Sequence, residues 1–108
     1  MPLTRFTTER EWLDAVEVFV DRPTTAARLH HLGVARESVL AVCEAEAKFA
    51  AVDGTTTATH EALATEAGVS RRLAAQIRVG LTDAGLESVI EGARVGDPLT
   101  RQLQLPRA

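Results

Sequence analysis

Apolar positions recur with a helical period over most of the chain and with a strand period only near its end. Trp12, Val16, Phe19 and Val20 fall three or four residues apart, and Leu13 and Val18 widen the stripe. That spacing predicts a helix from Glu9 to about Val20. Thr8 ahead of it and Glu11 in its first turn stand in capping-box order, so their side chains can reciprocally satisfy backbone donors. Asp21-Arg22-Pro23 breaks this helix. Thr24 or Thr25 then caps a short one through about Leu32, with Gly33 at its end. Glu37 to about Val52 reads as the longest helix. Its stripe is Leu40, Cys43, Ala47, Ala50 and Ala51, with Val39 and Phe49 beside it. Asp53-Gly54 is a turn signal, and the β-branched run Thr55-Thr56-Thr57 predicts a short strand.

Thr59 to Leu86 reads as two helices joined by a tight turn. The Thr59 hydroxyl can cap the first, Glu61 favours its positive end, and Leu63, Ala64 and Ala67 make its apolar stripe. Gly68 ends it where a positive φ costs glycine little, and Val69 is expected to plug the turn. Ser70 caps a second helix from Arg71 to about Ala84, closed by Gly85. At ~100° per residue, Ala74, Ile77 and Leu81 point one way and Arg72, Ala75, Gln76 and Val79 the other, with Arg71, Leu73 and Arg78 on the flanks. The outward side is small or polar and carries no acid. It suits a DNA major groove, where arginine pairs with guanine O6/N7 and glutamine with adenine N6/N7. Gly80 costs ~1 kcal/mol relative to alanine in a helix interior, and a close helix crossing would explain it.

Beyond Leu86, Glu87 to Glu91 predicts a strand, Gly92 to Pro98 a loop, and the alternation from Leu99 to Leu105 a second strand with one wet face. The run AARLHHLGVARESVL faintly echoes the later turn at an offset of 35 residues. The echo fails where Glu46 replaces the expected Leu81 equivalent, so a plain helical scaffold is the reading.

The residues Leu63-Ala64, Gly68-Val69-Ser70-Arg71-Arg72, Ile77, Leu81 and Ala84-Gly85-Leu86 resemble the helix-turn-helix of bacterial winged-helix proteins. The resemblance covers roughly residues 36 to 105. It implies a mainly α fold with a small β-hairpin wing: a winged helix-turn-helix over residues 36–105, preceded by an N-terminal helical extension over residues 1–35. The expected function is binding of double-stranded DNA in transcription or replication control. Arg72 and Gln76 would read bases beside Ala75 and Val79. Arg71, Arg78 and Ser70 would hold phosphates, and Arg94 at the tip of the hairpin would reach the backbone. Trp12, Val16, Phe19 and Val20 would either pack on the rest of the domain or build a homodimer interface, and in the second case two reading helices would sit about one DNA turn apart, ~34 Å. The alternative is a winged-helix adaptor that binds protein rather than DNA.

Composition bears on that choice. The chain has 108 residues and a net charge of −3. Residues 1–58 carry six basic and nine acidic side chains, and residues 59–108 carry six of each. The charge that favours DNA is therefore local to the second motif helix. One cysteine, Cys43, excludes an internal disulfide. No ligand spacing joins His30, His31, Cys43 and Glu44 into a metal site, and no cofactor motif is present. Phosphate loops, nucleophile elbows and zinc-protease patterns are missing, so no enzyme is expected. No apolar run approaches the ~18 residues of a membrane span, and no signal peptide is recognised, so the expected location is the cytoplasm.

Overall fold

The computed structural model describes residues 8–90 and 99–106. In chain order these form α1 (Glu9–Val20), α2 (Pro23–Leu32), α3 (Arg36–Phe49), β1 (Thr55–Thr56), α4 (His60–Ala67), α5 (Arg71–Asp83), β2 (Glu87–Ile90) and β3 (Thr100–Leu103). The protein is mainly helical with one small antiparallel sheet. None of the described helices is long and apolar enough to cross a membrane.

Three helix starts follow the expected chemistry. The hydroxyls of Thr8, Thr59 and Ser70 each accept from the backbone N–H three residues on, all at 3.0 Å. The turns at Gly68 and Gly85 have φ of 72° and 79°, in the left-handed region. An apolar residue follows each glycine and ties back to the helix: Val69 N–H donates to Ala64 O at 3.0 Å and Leu86 N–H to Leu81 O at 2.9 Å.

Two boundaries differ from expectation. Pro23 does not delay α2 until Thr24 or Thr25. It is the first helical residue, where its missing N–H has no intrahelical partner to lose. At the other end of α3, Ala50 is already extended, and the following turn is held by Thr55 O accepting from Ala51 N–H at 2.8 Å. The Asp53 carboxylate accepts from both the Thr55 N–H and its hydroxyl. Local hydrogen bonds thus end α3 before Ala51 and Val52 can join it.

β3 is the central strand, flanked by β1 and β2. Thr56 and Val89 both lie opposite Arg101, and Glu87 lies opposite Leu103. Directly paired residues share a face, so these five belong to one side of the sheet. Leu103 and Glu87 on that side are buried. Leu99, expected on the same side, precedes β3 and is exposed.

A single core joins the helices; α2 contributes no buried residue and meets it through half-buried Leu29. Trp12, Val16 and Val20 of α1 lie at 0–2% exposure in that core, and Trp12 Nε1 donates to Leu86 O at 2.8 Å. Phe19 packs half-buried against the same core. Of the two readings of this stripe, packing within the protomer holds for Trp12, Val16 and Val20, which corrects their assignment to a dimer interface; Phe19 keeps an exposed part. The stripe is spent within the protomer, because α1 packs on α3 and Leu86 after α5 supplies an acceptor for the indole N–H. At the end of α1, Arg36 grips the Asp21 carboxylate through Nε and Nη2 at 2.8 and 3.0 Å, and that guanidinium lowers the Asp21 pKa.

Gly80 also departs from expectation. No side chain or neighbouring backbone lies within 4 Å of the place its Cβ would occupy, and its φ is not positive. No helix crosses there. Gly80→Ala should therefore stabilise the protein by about 1 kcal/mol and raise Tm by about 5 °C in thermal unfolding. A lower Tm would reveal a neighbour that requires the glycine.

Candidate functional site

Helix α5 lies with its aliphatic side down. Ala74, Ile77 and Leu81 are buried, while Arg72 and Gln76 are exposed and Ala75 is half-buried. Val79, at 61% exposure, lies on the same outward side. Ser70 and Arg71 stand exposed at the start of the helix. Because Ser70 Oγ accepts from Leu73 N–H, its own O–H remains available to donate outward. The β2–β3 pair follows α5, as the pattern after Gly85 predicts. Arg94 and the loop from Gly92 to Pro98 lie outside the described residues.

Arg78 is not on this surface. It is 2% exposed, so the expectation that it holds phosphate is corrected. Its Nε donates to Glu46 Oε2 on α3 at 3.1 Å, and its Nη1 lies 3.2 Å from His60 Nδ1 on α4. Glu87 of β2 approaches Arg78 Nε at 3.9 Å and accepts from Arg101 Nη1 of β3 at 2.9 Å. Glu46 and Glu87 are 0% and 1% exposed. Two arginines, two glutamates and a histidine therefore cross-link α3, α4, α5, β2 and β3 through the interior. A guanidinium has no acceptor, so His60 Nδ1 must accept and its ring proton sits on Nε2.

The network's hydrogen bonding is incomplete, and its proton affinities are shifted. Burial first, and the neighbouring Glu87 second, raise the Glu46 pKa well above the ordinary glutamate range. Glu46 Oε1, Glu87 Oε1 and Arg78 Nη2 are buried without a hydrogen-bond partner, and a proton kept on Glu46 gives a carboxyl oxygen a hydrogen to donate. Burial, then the charges of Arg78, Arg101 and Arg71, lower the His60 pKa and keep its Nδ1 free to accept.

The α3 stripe read from the sequence omitted Val42, Ala45 and Glu46, all buried. The signal was present: Glu46 is four residues from Val42 and three from Cys43, on the apolar side of the helix. Glu87 offered none, because an acid in a strand of imperfect alternation reads as solvated. Cys43 is fully buried, and burial raises its thiol pKa well above the ordinary value. His30 and His31 are exposed on the last turn of α2. Among the described residues no group of three His, Cys, Asp or Glu side chains could hold a metal ion.

Comparison with protein-family models, with curated proteins and with solved structures gave no match.

The network makes two predictions. Arg78→Ala leaves the buried Glu46 carboxyl without its cation and should cost about 3–5 kcal/mol in urea unfolding. Glu46→Gln should fold, with its amide oxygen accepting from Arg78 and its amide N–H donating toward Glu87. The folded Glu46 pKa is raised, so its contribution is fully present below the ordinary glutamate range and lost as pH rises through the folded value. Wild-type stability should accordingly fall more steeply than that of Glu46→Gln as pH rises above the ordinary glutamate range. His60 acts in the opposite sense. Its folded pKa is lowered, so its contribution is present above 6.5 and lost as pH falls through the folded value. Parallel stability curves for wild type and Glu46→Gln would remove the retained proton from the account.

Proposed function

We propose that the protein is a winged helix-turn-helix that binds double-stranded DNA sequence-specifically, as a homodimer, in transcription or replication control. The observation that carries this reading is the orientation of α5. Arg72 and Gln76, the two side chains suited to bidentate base contacts, are both exposed on its outward side. Arg71 and Ser70 stand at the helix start, where phosphates are held by side chains and free backbone N–H groups. A short strand before the two motif helices and an antiparallel strand pair after them are compatible with this reading. With Arg78 buried, Arg71 and Arg72 are the described cations left to α5 for DNA. With the α1 stripe buried, the dimer surface has to come from residues left outside, such as Val18 and Leu32.

A second reading, a protein-binding adaptor of the same fold, is favoured by that loss of positive charge and by the net charge of −3. Selection of bound sequences from random duplex DNA, together with the solution mass, separates the two. For a DNA reader, affinity falls steeply as salt rises, because phosphate contacts release counterions. Arg72→Ala should weaken the selected site by about 1–3 kcal/mol and relax its base preference, without altering thermal stability. Failure to enrich any sequence, or unchanged affinity in Arg72→Ala, would leave the adaptor as the better reading.

A further inference from the structure

Between the N-terminal helices and α5 lies a hollow of about 550 Å³. Its floor is core: Val20, Val39, Ile77 and Leu81. Phe19, Leu29, Leu32 and Val79 raise its sides. Arg28 on α2 and Asp83 on α5 also line it, as do Thr24, Thr25 and Gln76. The volume lies within the roughly 300–1,000 Å³ of small-molecule sites, and an apolar lining with a few polar groups is their usual character. Three elements, α1, α2 and α5, enclose it together with Val34 and Val39, so it is concave rather than a flat apolar face.

Gly80 supplies an independent observation. It sits in the wall of the hollow, in the middle of α5, where glycine weakens a helix. Neither of the usual reasons for a helical glycine holds, because its φ is not positive and nothing approaches its absent Cβ. What its missing side chain does is leave the hollow open. Helix α2, with no buried residue, stands beside that space as an arm rather than filling it.

We propose that this hollow binds a small amphipathic molecule with an apolar aliphatic or aromatic body and one anionic head. The body lies over Leu29, Val79 and the open face of Gly80. The head meets Arg28, which has no hydrogen-bond or ion-pair partner among the described residues. Asp83, on α5, repels an anion and so turns the head toward α2. Binding to the protein does not depend on the DNA-binding reading. Gln76 and Val79 belong both to the hollow and to the outward side of α5, so competition between ligand and DNA would follow only if that reading also holds.

The test uses octanoate as the probe, with octylammonium as its charge-reversed counterpart, titrated into the full chain by calorimetry without DNA. Octanoate should bind at one site per chain and raise Tm, and octylammonium should bind far more weakly. Arg28→Gln, a change at an exposed position, should weaken octanoate by about tenfold or more. Gly80→Leu places a side chain in the hollow and should abolish binding, and Gly80→Ala should weaken it while the helix gains stability. No octanoate binding, equal binding of the two probes, or full binding in both Arg28→Gln and Gly80→Ala would overturn the proposal. Since no DNA is present, none of these outcomes bears on the reading of α5.

Discussion

The buried pair of Arg78 and Glu46 is the constraint on which the rest of the structure depends. It joins the middle of α5 to α3, and through Glu87, Arg101 and His60 it reaches both long strands and α4. Taking these charges out of water costs more than their attraction returns unless nearly every donor and acceptor is met. The network therefore acts as a register device more than as a source of net stability. Turning α5 by even one residue would strand a guanidinium among apolar side chains.

That constraint sets what α5 shows to solvent. On a helix of ~100° per residue, Gln76 lies roughly 160° and Arg72 roughly 120° from Arg78. Burying Arg78 therefore presents the other two. The same side chain that is lost to the surface as a cation orients the two best able to read base edges. The cost of this arrangement is electrostatic, since the outward side of α5 is less basic than its sequence implies.

The N-terminal helices are unequal partners in the fold. α1 is part of the core, held by the Trp12 indole N–H on the Leu86 carbonyl as well as by apolar packing. α2 contributes no buried residue: Pro23 starts it, Gly33 turns the chain toward α3, and half-buried Leu29 packs it against the core. Such a pair leaves a space above Gly80 that neither helix fills. The hollow is thus a consequence of an amphipathic α1 joined to an α2 with little apolar surface to bury.

The sequence by itself determined the elements and their caps. Thr8, Thr59, Ser70, Gly68 and Gly85 act through neighbours a few residues away, so their roles are visible in a linear reading. The inward side of α5 was legible for the same reason, as was the strand pair after Gly85. Tertiary structure alone decided which polar residues are buried. Glu46 lay on an apolar stripe, but its partners stand 32 and 41 positions further on, and no local pattern pairs them. It also decided that Trp12, Val16 and Val20 are covered by this chain's own core rather than by a second copy. An apolar stripe states that a side must be covered; what covers it depends on where distant segments of the chain come to rest. Gly80 shows the same limit: a missing side chain reads identically whether it admits a crossing helix or leaves a hollow, and only the surrounding atoms distinguish them.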